Sequence, residues 1–163
     1  MIMDMQSVAD ILRSHGFKVT PQRLAVYDAL QNTTEHPNAE MLYNMLLPRY
    51  PAMSLATVYK TMEIFDQIGL AQVLNIGEDS YRYDARMENH PHVRCNTCGR
   101  VDDIMEFEDE AIMNQVAKLS DYKLTGRQLY FYGECPKCQE KKKNITEVIW
   151  GRTGQGVSPV LFF

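Results

Sequence analysis

The sequence has no long hydrophobic run, and this absence excludes one class of protein. No apolar stretch approaches the roughly 18 residues that a membrane-spanning helix needs, so no membrane partner is expected. Asp4 and Asp10 stand where a signal peptide would carry positive charge and then an apolar block, which favours a cytoplasmic protein. With 45% hydrophobic and 23% charged residues, the chain is neither disordered nor of low complexity.

Basic charge is also scarce. The net charge is −4 over 163 residues, and residues 1–83 contain six Lys or Arg against nine Asp or Glu. Nucleic-acid-binding domains usually show a basic balance, so the overall charge argues weakly against a nucleic-acid partner. Any contact with DNA must therefore come from a local face.

Cysteine is limited to four residues in two C-x-x-C pairs, Cys95/Cys98 and Cys135/Cys138. Without a secretory signal, such pairs favour metal over disulfides. Four thiolates form a closed tetrahedral site typical of structural Zn²⁺. The 36 residues between the pairs predict a clamp between two distant segments. The alternatives are two redox-active motifs or four free thiols, including a sensor that works through cysteine oxidation.

Apolar residues spaced three or four apart predict four helices before residue 70. Thr20, followed by Pro21, and Ser54 fit the N-caps of the second and fourth helices. The residues expected to face inward are Met5, Val8, Ile11, Leu12, Leu24, Tyr27, Ala29, Leu30, Met41, Leu42, Met45, Leu46, Leu55, Val58, Met62 and Phe65. The residues of the fourth helix expected to face outward are Ala56, Thr57, Lys60 and Ile64, with Tyr59 at the border.

Two strand-like runs, 71–76 and 80–85, flank Gly77-Glu78-Asp79 and predict a hairpin. Helices followed by a hairpin are the order of a winged helix-turn-helix, and an ordinary small helical domain is the alternative. After residue 84, His, Cys and Asp residues cluster up to residue 103, and a helix (108–119) and a strand (129–133) follow. The predicted fold class is therefore α+β, with a winged helix over 1–83, an α/β domain over 84–143 and a tail, 144–163, of unassigned role.

Histidines and aspartates form a second cluster. His90 and His92 flank Pro91, with Asp84 upstream, Asp102-Asp103 downstream and His36 before the third helix. Imidazoles with carboxylates suit Fe(II), Mn(II) or Zn(II). One alternative is that the histidines are exposed or structural. Another is a zinc-ribbon metalloenzyme that activates water, which needs an open metal position and a general base. No substrate pocket is evident, so no enzyme activity is expected.

Six motifs carry a resemblance to a known family. They are T-P-Q-R (20–23), E-H-P-N-A-E (35–40), S-L-A-T-V-Y (54–59), Y-D-A (83–85), H-P-H-V-R-C-N-T-C-G (90–99) and C-P-K-C (135–138). In this order they resemble the ferric uptake regulator (Fur) family over about residues 5–142. Within it, the chain is most similar to the peroxide-sensing, PerR-like branch, which has Asp at the position of Asp103 where iron-uptake members usually have Glu.

The resemblance implies a homodimer that represses transcription by binding a palindromic double-stranded DNA operator. A regulatory Fe²⁺ or Mn²⁺ would draw the two domains of each subunit together, beside the structural Zn²⁺. The implied regulatory ligands are His36, Asp84, His90, His92 and Asp103. The candidate DNA contacts are Arg23, Thr57, Tyr59 and Lys60.

The resemblance also implies how a signal would be read. Hydrogen peroxide would be reduced at Fe(II), the resulting oxidant would attack His36 or His90, and loss of that ligand would release DNA. Mn(II) reacts poorly with peroxide, so the Mn(II)-loaded repressor would stay bound. An iron- or manganese-responsive uptake regulator without a peroxide role is the alternative. Lys60-Thr61 replaces the Asn-Asn common in this branch, which leaves the operator sequence open.

Overall fold

The first half of the chain consists of four helices and a hairpin. The computed structural model describes residues 3–77 and 81–143, so the tail and part of the predicted hairpin turn lie outside the described residues. The helices are α1 (Met5–Ser14), α2 (Pro21–Gln31), α3 (Ala39–Leu46) and α4 (Leu55–Gln67). The four predicted helices are confirmed.

Side-chain hydrogen bonds cap the N-termini of α2 and α4, as predicted. The Thr20 hydroxyl accepts a hydrogen bond from the backbone N–H of Arg23 at 3.2 Å, and Ser54 accepts one from Thr57 at 3.1 Å. Each cap satisfies one of the N–H groups that the first helical turn leaves without a partner. The starts of both helices are thus held in place.

The helices share one hydrophobic core, in which Phe65 is fully buried and meets Tyr27 edge to face at 5.6 Å between ring centroids. Two predictions of burial were wrong. Met45 is 49% exposed, because the eight-residue α3 buries only the face that carries Leu42. Ile64 is 3% exposed instead of facing outward. The reason is that α4 contacts α2, α3 and the hairpin, so α4 buries side chains on more than one face.

The hairpin pairs β1 (Gln72–Leu74) with β2 (Arg82–Asp84) in antiparallel register. The predicted pairing is confirmed, with strands shorter than the runs suggested. The backbone N–H of Tyr83 donates to the carbonyl of Pro37 at 3.0 Å. This bond ties β2 to the segment before α3, and so brings Asp84 near His36.

The second half of the chain contains a three-stranded sheet, one ten-residue helix and a helical segment over residues 136–143 that includes Cys138. Its elements are β3 (His92–Cys95), β4 (Val101–Asp103), α5 (Glu110–Leu119) and β5 (Tyr130–Gly133). The strand order is β4-β3-β5, with β3 antiparallel to β4 and parallel to β5. The central strand β3 thus carries a predicted metal ligand at each end, His92 and Cys95.

The two halves of the chain also touch away from these ligands. Leu74 and Ile76, which follow the helices, pack against Val101 and Tyr130 of the sheet. The predicted domain boundary at residues 83/84 falls inside β2, and the division into two domains stays a prediction. Within the described ranges, every helix is too short or too polar to cross a membrane.

Candidate metal centres

The four cysteines converge on one point from two segments. Cys95 ends β3 and Cys98 lies in the turn after it, while Cys135 and Cys138 follow β5. The backbone N–H of Cys135 donates to the sulfur of Cys95 at 3.3 Å, which joins the segments directly. The structure therefore brings the two cysteine pairs together, as their spacing in the sequence predicted.

The sulfur spacing fits a metal better than a disulfide. All four sulfurs lie within 4.8 Å of one another, and those of Cys98 and Cys135 are 3.8 Å apart. A disulfide requires about 2.05 Å between sulfurs. A tetrahedral Zn²⁺ with Zn–S bonds of about 2.3 Å places its sulfurs about 3.8 Å apart. The donor set and its spacing thus fit Zn²⁺.

The pKa values of two of the thiols are shifted in opposite directions. Backbone N–H groups of Cys135 and Cys98 lower the pKa of Cys95 to about 6. The hydrogen bond that the Cys138 thiol donates to Cys135, together with burial, raises the pKa of Cys138 to about 12. The Cys95 thiolate therefore forms easily while the Cys138 thiol keeps its proton, although a metal would need both as thiolates. A bound dication would remove this conflict.

The second cluster gathers side chains from both halves of the chain. His36 lies in the segment before α3 and Asp84 ends β2. His92 begins β3, with His90 two residues earlier, and Asp103 ends β4 opposite His92. Their ligand atoms all lie within 4.8 Å of one another. All five predicted regulatory ligands therefore meet at one site.

One oxygen of each aspartate faces the imidazoles. Asp103 Oδ1 lies 2.7 Å from His36 Nε2 and 3.1 Å from His90 Nε2. Asp84 Oδ2 lies 3.2 Å from His90 Nε2 and 3.6 Å from His92 Nε2. The space is largely shielded from solvent, since His36, His92 and Asp84 are all less than 9% exposed.

Several of these inward atoms lack a hydrogen-bond partner. Among residues 3–77 and 81–143, the buried Nε2 atoms of His90 and His92 and Oδ1 of Asp103 have none. An unsatisfied buried polar atom is costly, and these three are converging lone-pair donors. Three nitrogens and two carboxylates match the ligands that Fe(II), Mn(II) and Zn(II) accept. The residues present therefore fit a divalent metal.

The electrostatics of the cluster favour ionised carboxylates. Burial raises the pKa of Asp103, but the His36 imidazole 2.7 Å away and the charges of His36 and His90 outweigh it and lower the pKa to about 2. Burial likewise opposes ionisation of Asp84, and the nearby imidazole of His92 and the hydrogen bond from the Arg86 backbone outweigh it, so its pKa is lowered. Two negative charges thus face the centre of the site.

Neighbouring groups orient the ligands, and the sequence analysis missed them. Gln72 Nε2 donates to Asp84 Oδ2 at 3.0 Å and to the carbonyl of Arg86 at 2.5 Å. His90 Nδ1 lies 2.7 Å from the carbonyl of Glu88, so the tautomer with a proton on Nδ1 leaves Nε2 free to bind a metal. No sequence pattern marks Gln72, because an amide in a short strand resembles an ordinary surface residue.

The candidate DNA contacts are brought together only in part. Arg23, Thr57 and Lys60 line one surface cleft of about 350 Å³ between the starts of α2 and α4. Tyr59 is 43% exposed and is not among the residues that line it. Lys60 pairs with Glu63 at 3.2 Å on the exposed face of α4. The cleft is thus a local polar face on a chain without a basic surplus.

Comparison with known proteins identifies the family. The sequence model of the Ferric uptake regulator family matches residues 14–132. The chain belongs to this family. The match spans the helices from α2 to α5, the hairpin and most of the sheet, and so includes the whole second cluster.

Relatives of this Fur-family chain include peroxide regulators. It is 44% identical over 137 residues to the transcriptional regulator PerR of Clostridium acetobutylicum, which covers 84% of this chain and 99% of that protein. It is 34% identical over 136 residues to the peroxide-responsive repressor PerR of Staphylococcus aureus, with 83% and 91% covered. The solved peroxide stress regulator of Campylobacter jejuni matches with a TM-score of 0.64 and 32% identity, over 83% of this chain and 100% of that one. The similarity to the PerR-like branch is confirmed.

Removing the thiol-bound metal tests the first centre. We expect one tightly held zinc per chain, and we expect its removal by a chelator under reducing conditions to unfold the sheet, because most of the binding free energy of a structural zinc site is folding free energy. Elemental analysis measures the zinc content, thiol titration counts the free thiols, and circular dichroism follows the folding. A stable, folded, zinc-free protein with four intact thiols would contradict this expectation.

Proposed function

We infer that this chain is a metal-dependent transcriptional repressor that senses hydrogen peroxide. The observation that carries the inference is the second cluster, in which a chain of the Fur family joins His36 and Asp84 of its helical half to His90, His92 and Asp103 of its sheet. The relatives named as peroxide-responsive repressors support the same function. The thiol cluster would hold Zn²⁺ and the second cluster Fe²⁺ or Mn²⁺.

A metal in the second cluster would couple the two halves of the subunit. His36 and Asp84 belong to the helices and hairpin, and Asp103 belongs to the sheet. A cation bound to all of them favours the one relative orientation in which they meet, since a ligand shifts an equilibrium by its differential affinity. Loss of one histidine ligand weakens that preference. DNA affinity then depends on an intact cluster.

Bound Fe(II) would supply the redox chemistry that lets peroxide react with the adjacent imidazoles, and in the net reaction the electrons come from a histidine. In the net reaction one oxygen atom of hydrogen peroxide is added to a histidine ring and the other leaves as water, so the histidine loses two electrons and the peroxide gains two. His36 and His90 are the proposed targets, and both place Nε2 close to Asp103 Oδ1. Nothing is turned over, so this reaction is sensing and not catalysis.

The proposed DNA-binding face is the cleft between the starts of α2 and α4. Arg23 and Lys60 supply positive charge there, and Thr57 supplies a hydroxyl. The backbone N–H groups at two helix N-termini favour phosphate oxygens. The exposed ring of Tyr59 lies on the same helix, and we propose it as a further contact.

The proposed dimer uses α5 and β5. Within the described ranges α5 buries none of its side chains, and Ile112, Val116 and Leu119 expose apolar surface along one of its faces. Strand β5 is an edge strand and exposes Phe131 and Tyr132. Exposed apolar patches of this kind mark interaction sites. A second copy would cover both elements and place two α4 helices about 34–36 Å apart on a palindromic operator.

A DNA-binding experiment tests the repressor function. We expect the Mn(II)-loaded protein to select a palindrome from a pool of random duplexes. With Fe(II) bound, we expect a brief hydrogen peroxide pulse to lower affinity for that duplex by at least about tenfold, on the order of 1.4 kcal/mol, because a ligand is lost. Fluorescence anisotropy measures the affinity, and mass spectrometry of the same samples locates the added oxygen.

The Mn(II)-loaded protein is the control, and it should keep both its affinity and its unmodified histidines. An Fe(II)-loaded protein that releases DNA with no oxygen on His36 or His90 would contradict the sensing reaction. One that stays bound with unmodified histidines would instead favour a metal-responsive uptake regulator.

Breaking the α5 face tests the dimer. We expect Val116→Glu to give a monomer in light scattering and to lose most DNA affinity while it still binds Mn(II), because a buried unpaired charge at an interface is costly. Met45→Glu is the matched control, since Met45 is similarly exposed on α3. A Val116→Glu protein that remains dimeric would show that α5 is not the interface.

A further inference from the structure

A small pocket leads from the surface to the second cluster. It has a volume of about 120 Å³, which is room for a few water-sized molecules. Three of the five metal-ligating side chains line it, together with the side chain of Arg86. The ligands that line it are His36, Asp84 and Asp103. A small molecule that enters this pocket contacts His36, the two carboxylates and Arg86.

Arg86 faces the outer oxygens of both carboxylates. Asp84 directs Oδ2 to the imidazoles, and its other oxygen, Oδ1, accepts a hydrogen bond from the backbone N–H of Arg86 at 2.8 Å. Asp103 directs Oδ1 to the imidazoles, and its Oδ2 lies 4.0 Å from Nε of Arg86. Each aspartate thus directs one carboxylate oxygen to the imidazoles and its other oxygen to Arg86.

We propose that the Arg86 guanidinium is a positioning group of the metal centre, which holds the outer oxygen of Asp103 away from the imidazoles and so keeps the pocket side of the cluster open to hydrogen peroxide. The proposal rests on the proposed function and assigns a residue that controls access to the same site. It concerns the side chain alone, because the Met and Lys variants used below retain the backbone N–H that binds Asp84.

Two physical effects of the guanidinium act in the same direction. It attracts Oδ2 of Asp103, and without it that oxygen is free to turn inward and become a second ligand atom. It also places a positive charge beside a site for a divalent cation, and like charges at short range in a poorly solvated site repel. Both effects weaken metal binding, and the first keeps a position accessible from the pocket.

The side chain of Arg86 is itself held in place. Its Nη1 atom lies 2.8 Å from the sulfur of Met105, which is two residues beyond Asp103 on the same segment. The side chain of Arg86 is only 36% exposed. A cation fixed in this way costs less to order than a freely moving surface arginine, so the position at the pocket rim is maintained.

Three variants test the proposal. Arg86→Met removes the charge and keeps most of the length, and Arg86→Lys keeps the charge. Arg13→Met is the control, because Arg13 is an exposed arginine that pairs with Asp10 at 2.6 Å. Each zinc-containing protein is titrated with Mn(II), with free Mn(II) measured by electron paramagnetic resonance. The Fe(II)-loaded proteins receive a hydrogen peroxide pulse, and mass spectrometry follows histidine oxidation over time.

We expect Arg86→Met to bind Mn(II) about three- to tenfold more tightly, because a positive charge is removed and Asp103 can offer a second ligand atom. We expect it to oxidise its histidines about tenfold more slowly, at the lower end of the losses seen when residues behind the ligands are changed. Arg86→Lys should retain at least half of the native oxidation rate, and Arg13→Met should match the native protein in both measurements. Tighter binding combined with slower oxidation supports the proposal.

Weaker Mn(II) binding together with slower oxidation would mean that Arg86 only braces the fold, and this would overturn the proposal. Unchanged values for Arg86→Met, or faster oxidation, would also overturn it. The proposed function fails in a different way. If the native protein gains no oxygen on any histidine, peroxide sensing is wrong, while the change in Mn(II) affinity still decides whether Arg86 restrains Asp103.

Discussion

Three imidazoles and two carboxylates share one buried space in which several polar atoms lack a hydrogen-bond partner. The positions of the two halves of the chain depend on what binds there. The carboxylates are ionised because the histidines stabilise their charge, as the pKa of about 2 for Asp103 indicates. Nε2 of His90 and of His92 nonetheless lack hydrogen-bond partners in the described part of the chain. A divalent cation would satisfy these atoms together and offset the burial of two negative charges. The fold thus places five side chains where a divalent metal can bind to all of them.

The two metal centres are mechanically linked. Strand β3 begins at His92 and ends at Cys95, four residues that span about 10 Å. The thiol cluster fixes one end of this strand and the turn to β4, and the other end presents ligands to the second cluster. Zinc would hold the sheet rigid, so that the second metal controls only how the helical half sits against it. One centre supports structure while the other can respond to a signal.

Much of this arrangement could be predicted from the sequence because it depends on local chemistry and on ordered motifs. Thr20 and Ser54 are N-caps whose hydrogen bonds span three residues, and the C-x-x-C spacing limits the thiols to metal or redox chemistry. The family resemblance indicated the five ligands of the second cluster. Ile64 and Met45 were misplaced because their burial depends on which elements pack against a helix. Gln72 and Arg86 were missed because their role appears only when β1 and the segment after β2 are brought beside Asp84 and Asp103.

The most direct test of the central claim is a crystal structure of the zinc-containing protein saturated with Mn(II), with anomalous scattering used to locate manganese. The account predicts one manganese peak per subunit within bonding distance of all five side chains, His36, Asp84, His90, His92 and Asp103. It also predicts that manganese is absent from the thiol cluster. Manganese bound elsewhere, or five side chains that point apart in a metal-saturated protein that still binds its operator, would contradict it.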